Sequence, residues 1–177
     1  MDEIRKSRYE DYKAIRTIIE KSFGQREDYP EYYDEYEKGR YMLYLRNQVP
    51  IAMSGINREG SCYTGYMPEV DYTAVLPEYR GQGIMTCLFE KILKDMPDKL
   101  YYSAWRTSAD YDRANAERLL RHFGFEEIKR PHVEFKIGTN CDYRSLQECV
   151  YYTGRNCHCY EDLWVLYRNK GKFNEEM

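Results

Sequence analysis

The chain has 177 residues, with 32% charged, 42% hydrophobic, 16% aromatic and a formal net charge of −3. That length fits one domain, 1–177, able to bury about two-thirds of its unfolded surface, and the composition is too apolar for a disordered chain. The slight negative charge disfavours a non-specific nucleic-acid binder, and no apolar run approaches the roughly 20 residues of a membrane span.

The opening residues, Met1 to Lys6, carry charge with no apolar stretch behind it, so no secretory signal is visible. The six cysteines are therefore expected as reduced thiols of a cytoplasmic protein. Twenty tyrosines are the compositional oddity. Tyr suits half-buried surfaces and pocket linings, and lineage bias in composition explains the excess equally well.

Ile4 to Lys6 reads as a short strand. Ser7-Arg8-Tyr9-Glu10 matches a capping box, and Tyr12, Ile15, Ile18, Ile19, Ser22 and Phe23 keep helical spacing, so 8–23 is expected as an amphipathic helix. Pro30 and Gly39 frame a second helix over 31–38. Arg40 to Leu45 and Val49 to Ser54 read as strands joined by a turn at 46–48, with Pro50 fitting an edge or strand start. Val70 to Val75 is a β-rich run. After Leu76-Pro77 and the turn Glu78-Tyr79-Arg80-Gly81-Gln82-Gly83, a helix is expected from Ile84 to Met96, stopped by Pro97. Leu100 to Trp105 is the next strand. Asp112 to Phe123 is the next helix, with Gly124 as its cap. Val133 to Ile137 and Leu163 to Tyr167 are the last strands. The alternation suggests a mixed α/β sheet with helices on its faces.

Cys141, Cys149, Cys157, His158 and Cys159 cluster near the C-terminus, but no CxxC occurs and the gaps are seven, seven and one residues. Zinc knuckles use shorter regular spacings, so no metal site is expected.

The chemically informative stretch runs from Ala74 to Thr86: a strand, a glycine turn, then a helix start. A helix start offers up to four unpaired backbone N–H groups and the positive end of the dipole, which suits a phosphate or pyrophosphate. Gly81 and Gly83 allow positive φ and close approach, and Arg80 adds a cation. A Walker loop is absent, and the third glycine of a dinucleotide fingerprint is Thr86.

Val75-x-Pro77 followed by Arg80-Gly81-Gln82-Gly83-Ile84 resembles the signature of the GNAT superfamily, the N-acetyltransferases that use acetyl-CoA. Met85 departs from the small residue usual at its position. Asp112 to Phe125 looks like that family's second motif, and Glu161 to Arg168 looks like its last strand. The resemblance covers about 1–137 and 160–168; the segment 138–159 is longer than a minimal member needs. It implies a mixed, mostly antiparallel sheet of six to seven strands. Two parallel strands, Val70–Val75 and Leu100–Trp105, splay in it to admit the pantetheine arm, with Thr73, Ala74 and Val75 as main-chain partners. The pyrophosphate would lie on the amides of Gly81, Gln82, Gly83, Ile84, Met85 and Thr86. Asn115 would contact the coenzyme arm, a position a surface Asn fills as well.

The implied reaction is direct attack of an amine, from a small molecule or a peptide, on the thioester. A free alkylamine has a pKa near 10 and must lose a proton first. Glu69 is the candidate base and Asp71, two residues on, the second; both read equally as solvated strand-edge charges. The family's usual general-acid Tyr falls at Leu120, so Tyr111 is the substitute considered. Acidic and Tyr residues over 27–37 would suit a cationic acceptor or simply a solvated helix. A homodimer is compatible with the resemblance. The competing readings are a non-catalytic acyl-CoA-binding module and a zinc-stabilised interaction domain built on the C-terminal cysteines.

Overall fold

A computed structural model of the chain describes residues 2–23, 41–60, 64–106, 116–128, 133–135 and 159–168. Strand β1 (Asp2–Lys6) pairs antiparallel with β2 (Tyr41–Arg46). Asn47 and Gln48 follow with φ of 52° and 68°. Two left-handed residues give the hairpin turn that matches strand twist, and β3 (Val49–Asn57) returns along β2. Pro50, which has no N–H, lies ahead of Ala52, where pairing with the next strand begins. That is the strand-start position its chemistry requires.

Helix α1 (Tyr12–Phe23) connects β1 towards β2 and is entered through a 3-10 turn at Tyr9–Asp11. Ile15, Ile18, Ile19 and Ser22 form its buried face. The cap falls one residue later than the sequence pattern assigns. Ser7 is held in the sheet by its N–H to the Tyr41 carbonyl at 2.8 Å, so the chain turns only after it. Arg8 becomes the N-cap, and Asp11, not Glu10, accepts the Arg8 N–H at 2.8 Å. Arg5 also donates to both Asp11 oxygens, at 2.6 and 2.8 Å.

That guanidinium holds the Asp11 carboxyl below the usual carboxylate range. A depressed folded-state value contributes stability that is present above the ordinary carboxylate pKa and is lost as pH falls through it. The urea midpoint is therefore expected to drop as pH falls below about 4, and Asp11→Asn to flatten that drop. Equal acid limbs for both proteins in a pH series of urea melts would refute this.

Strand β4 (Glu69–Val75) lies beside β3, and β5 (Lys99–Arg106) lies beside β4. Between them runs α2 (Ile84–Ile92), which buries Ile84, Leu88, Phe89 and Ile92. The expected helix reaches Met96; the observed one tightens to a 3-10 turn over Leu93–Asp95. Met96 is extended, at φ −65° and ψ 148°, because a residue before proline is driven out of the helical region. Helix α3 (Glu117–His122) ends at Gly124, whose φ is +79°. Its expected start at Asp112 lies outside the described residues, as does the helix expected over 31–38.

Short strands β6 (Glu126–Glu127) and β7 (Val133–Phe135) both pair with β8 (Cys159–Tyr167), β6 having no counterpart in the sequence reading. The sheet order is β1-β2-β3-β4-β5-β8-β6, with β7 also on β8. Every pairing is antiparallel except β4 with β5. The expected mixed, mostly antiparallel sheet with helices packed on it is the observed fold.

Among the described residues, two larger apolar clusters hold it together, beside a small one of Tyr101, Leu163 and Val165. One joins α1 to β2 and β3 and takes in Ile84 and Leu88 of α2. The other gathers Phe89 and Ile92 with Leu100, Ala104, Leu120, Phe125 and Trp164. Helix α2 serves both, which fixes its N-terminal end against the sheet.

Candidate functional site

β4 and β5 are joined by one register pair, Glu69↔Tyr101, reinforced by the Tyr101 N–H to the Pro68 carbonyl at 2.8 Å. Beyond that rung the parallel ladder stops, although β4 continues for six residues and β5 for five. β4 thus keeps β3 along one edge and faces a gap along the other. An extended ligand can pair in such a gap as an added strand would.

A bulge lies within this stretch. Met53 pairs with Ala74 but Gly55 pairs with Asp71, so β4 carries one extra residue opposite Ser54. Tyr72 takes up the distortion with a φ of +41°. Its ring is held edge-on by Tyr41 at 6.3 Å and by Phe23 of α1 at 6.2 Å. Bulges re-aim side chains and break pairing locally, and an unfavourable φ persists only where packing over-determines it.

At the far end of β4, Pro77–Tyr79 forms a 3-10 turn, followed by Gly81 at φ +78° and Gly83 at φ +75°. Gly83 is the N-cap of α2 and carries no side-chain cap bond. The first helical bond of α2 is donated by the Cys87 N–H to the Gly83 carbonyl at 3.2 Å, so the N–H groups of Ile84 to Thr86 precede it, as in the first turn of any helix. A Cβ built on Gly81 or Gly83 would meet nothing within 4 Å. The glycines are therefore required for their φ and not by crowding, and open space lies before them. That geometry fits an anion seated on backbone N–H groups. Met85, where the resemblance leads one to expect a small residue, is half-buried and packed against both core clusters, which keeps its bulk off the exposed turn.

Arg80 bends back, its Nε donating to the Val75 carbonyl at 3.1 Å, which fixes the guanidinium beside the turn. A second cation stands there that the sequence reading missed. Arg46, at the end of β2, donates from Nη1 to Gln82 Oε1 at 2.7 Å and lies 5.6 Å over the Tyr79 ring. Asp2 anchors it from the other side at 3.3 Å. No local signal could have found Arg46, because it lies 36 residues from Gln82.

Glu69 is buried at 8% exposure, on the last rung that joins β4 to β5. Asp71 is half-buried and accepts a hydrogen bond from the Tyr41 hydroxyl at 3.2 Å. Tyr41, Gly55 and Asp71 stand in one row across three strands. Thr73 Oγ1 lies 3.0 Å from Ser54 Oγ, which is fully buried. Tyr102, the first β5 residue past the last rung, packs its ring against Phe89 and Phe125. The carboxylates and hydroxyls therefore gather at the Glu69 end of the gap, and the amide cradle at the Val75 end.

Tyr111 and Asn115 lie outside the described residues, as do 24–40, expected to wall an acceptor, and 136–158. Leu120 is fully buried in the Phe89 cluster. Of the cysteines that are described, Cys87 is exposed and Cys159 buried, neither in a disulfide. Among the described residues no group of three potential ligands could hold a metal, and no helix is long and apolar enough to cross a membrane.

A model of the acetyltransferase (GNAT) family matches residues 3–125. No curated protein matches the chain by sequence. Solved structures do. A GNAT-family acetyltransferase from Bacillus cereus superposes with a TM-score of 0.66 at 13% identity, over 96% of this chain and 99% of that one. The ribosomal-protein-S18-alanine N-acetyltransferase of Escherichia coli gives 0.64 at 16%, over 100% of both. A mosquito arylalkylamine N-acetyltransferase-like protein gives 0.60 at 13%, over 94% and 100%. At these identities the likeness is one of fold.

Proposed function

The chain belongs to the acetyltransferase (GNAT) family, and from that premise we propose that it is an N-acetyltransferase. It moves an acetyl group from acetyl-CoA to a primary amine of a small molecule or a peptide, by direct attack with general-base help. The observation that carries this reading is the joining of two features on one strand. β4 leads through two left-handed glycines to the first turn of α2, and its edge past Glu69 opens a gap to β5.

The residues fit the coenzyme. Gly81 to Thr86 would hold the pyrophosphate, with Arg80 and Arg46 as flanking cations. Thr73, Ala74 and Val75 would line the pantetheine arm. A carrier laid along β4 from that cradle brings its thioester towards Glu69, Asp71 and Thr73. The thioester supplies an activated acyl carbon, and the chain's own task is to orient it and take a proton from the amine. Glu69 is assigned that task, with Asp71 second. Fold neighbours named as a ribosomal-protein-S18-alanine N-acetyltransferase and as an arylalkylamine N-acetyltransferase-like protein support an amine acceptor without choosing between a peptide and a small molecule.

The direct test is incubation with acetyl-CoA and a panel of amines, read as release of free thiol. Binding of coenzyme A without thiol release would favour a non-catalytic acyl-CoA module, the reading to which the buried Leu120 lends weight. Gly83→Val is expected to weaken coenzyme A binding at least tenfold, about 1.4 kcal/mol. A β-branched residue resists the φ of +75°, so the turn relaxes and its amides lose their common aim. Unchanged affinity by calorimetric titration would reject the cradle.

A further inference from the structure

We propose that the end of the sheet opposite the glycine turn holds a second binding site, for a small molecule that carries a phosphate monoester and free hydroxyl groups. Four chain segments converge there. β1 ends at Lys6, Arg58 follows β3, Lys94 to Asp98 link α2 to β5, and Arg168 follows β8. Together they line an open cavity of about 770 Å³, within the range that small-molecule sites occupy. The strand register sets it apart from the coenzyme cradle. Asp2 of β1 pairs with Arg46, which reaches Gln82, whereas Lys6 stands at the other end of the strand, opposite Met42.

Two contacts fix the centre of the site. Arg58 Nη2 donates to the Asp95 carbonyl at 3.1 Å, and Arg168 Nη2 donates to the Lys94 carbonyl at 2.9 Å. Those carbonyls are consecutive, so two guanidinium groups from distant strands are drawn together at the C-terminal end of α2. Exposed carbonyls and the negative end of the helix dipole favour cations there. Each bond uses one of a guanidinium's five donors. Among the described residues neither arginine takes part in an ion pair, and nor does Lys6 or Lys94. Like charges brought together repel, and an anion seated among them reverses the sign. The guanidinium fork matches phosphate oxygens bidentately.

The lining decides the class of ligand. Lys6, Arg58, Lys94 and Arg168 against Asp95 and Asp98 leave a surplus of two positive charges, on a chain whose net charge is −3. A phosphate monoester carries about −1.5 to −2 at pH 7, which matches that surplus. Asp95 and Asp98 oppose a bare anion but accept hydrogen bonds from hydroxyl groups. The ligand that uses the whole lining is therefore a phosphorylated polyol rather than inorganic phosphate. All six residues are exposed, so binding needs no opening of the core and is weakened by salt.

Calorimetric titration of the full chain tests this with ribose 5-phosphate, inorganic phosphate and ribose. Ribose 5-phosphate is expected to saturate the site, inorganic phosphate to bind more weakly, and ribose not to bind. Arg58→Gln and Arg168→Gln should each weaken ribose 5-phosphate about tenfold, the scale of a lost charge-assisted hydrogen bond. Both arginines also cap α2, so Lys94→Gln is the companion variant: it removes a lining charge and no cap, and should weaken binding with the urea midpoint unchanged. Asp98→Ala removes a hydroxyl partner and a repelling charge, and should narrow the difference between the two phosphates. Gly83→Val should leave this site as it is. Wild-type protein that binds neither phosphate would overturn the proposal. So would binding that Gly83→Val abolishes and the arginine variants spare, because the phosphate would then lie in the cradle. Saturation by a Glu-rich peptide with ribose 5-phosphate inert would give the surface to an acidic protein segment instead. Equal affinity for ribose 5-phosphate and inorganic phosphate would strike out the hydroxyl contacts. None of these outcomes depends on thiol release, so this site and acetyl transfer stand or fall separately.

Discussion

Glu69→Gln is expected to lower kcat by about 10²–10⁴-fold, the usual contribution of a positioned general base, while leaving coenzyme A affinity unchanged. The acceptor nitrogen attacks only when neutral, and an alkylamine near pKa 10 is mostly charged at working pH. A group in the site must therefore take its proton. Glu69 is buried at 8% exposure on the one rung that joins the splayed strands. Glutamine keeps its size and hydrogen-bonding reach but accepts no proton. A carboxylate base works only when ionised, so the wild-type rate should fall as pH drops below its pKa, and that fall should vanish in the variant. Asp71→Asn is the comparator, because Asp71 is already engaged by the Tyr41 hydroxyl. A pH–rate profile with the same shape in Glu69→Gln and wild type would remove Glu69 from the mechanism. The same loss of limb in Asp71→Asn alone would move the role two residues along the strand.

Phe89→Ala is expected to cost about 3–5 kcal/mol of folding stability, the range for truncating a buried aromatic. Phe89 has no exposed surface. Its ring lies 5.4 Å from Phe123 and 6.3 Å from Tyr102, so it ties α2 to the segment after α3 and to the rim of the gap. The cavity would open beneath Tyr102, and activity should fall further than the lost stability alone predicts. Urea denaturation checks the first part: the midpoint should drop with little change in slope. A loss below about 1 kcal/mol would mean that the cluster closes around the smaller side chain.

Much of the frame was legible in the residues because its signals are local. The period-2 and helical patterns located β2, β3, β4 and α2 to within a few residues. Pro77, Gly81 and Gly83 marked the turn between strand and helix, since only a few residue types tolerate the φ values there. The errors lie where neighbours intervene. The cap ahead of α1 moved from Ser7 to Arg8, and its acidic partner from Glu10 to Asp11, because β2 holds Ser7 in the sheet. α2 stopped early because Pro97 constrains Met96. The two-residue β6 carries too few residues for any period to register.

Of the candidate site, the sequence determined by itself which residues form the turn, that Arg80 stands beside it, and that Asp71 lies on the strand leading into it; it set Glu69 just ahead of that strand, where the structure makes it the first strand residue. Those facts follow from chain order and from backbone preferences that act over a handful of residues. The tertiary structure alone decided that β4 and β5 share a single rung, that β4 bulges at Tyr72, and that Arg46 and Tyr41 reach Gln82 and Asp71. Each of these contacts depends on the register between strands; Tyr41 and Asp71 are 30 residues apart and Arg46 and Gln82 are 36. Register is set by packing across the whole sheet, and a one-residue bulge redirects what a strand presents without altering its pattern of residue types.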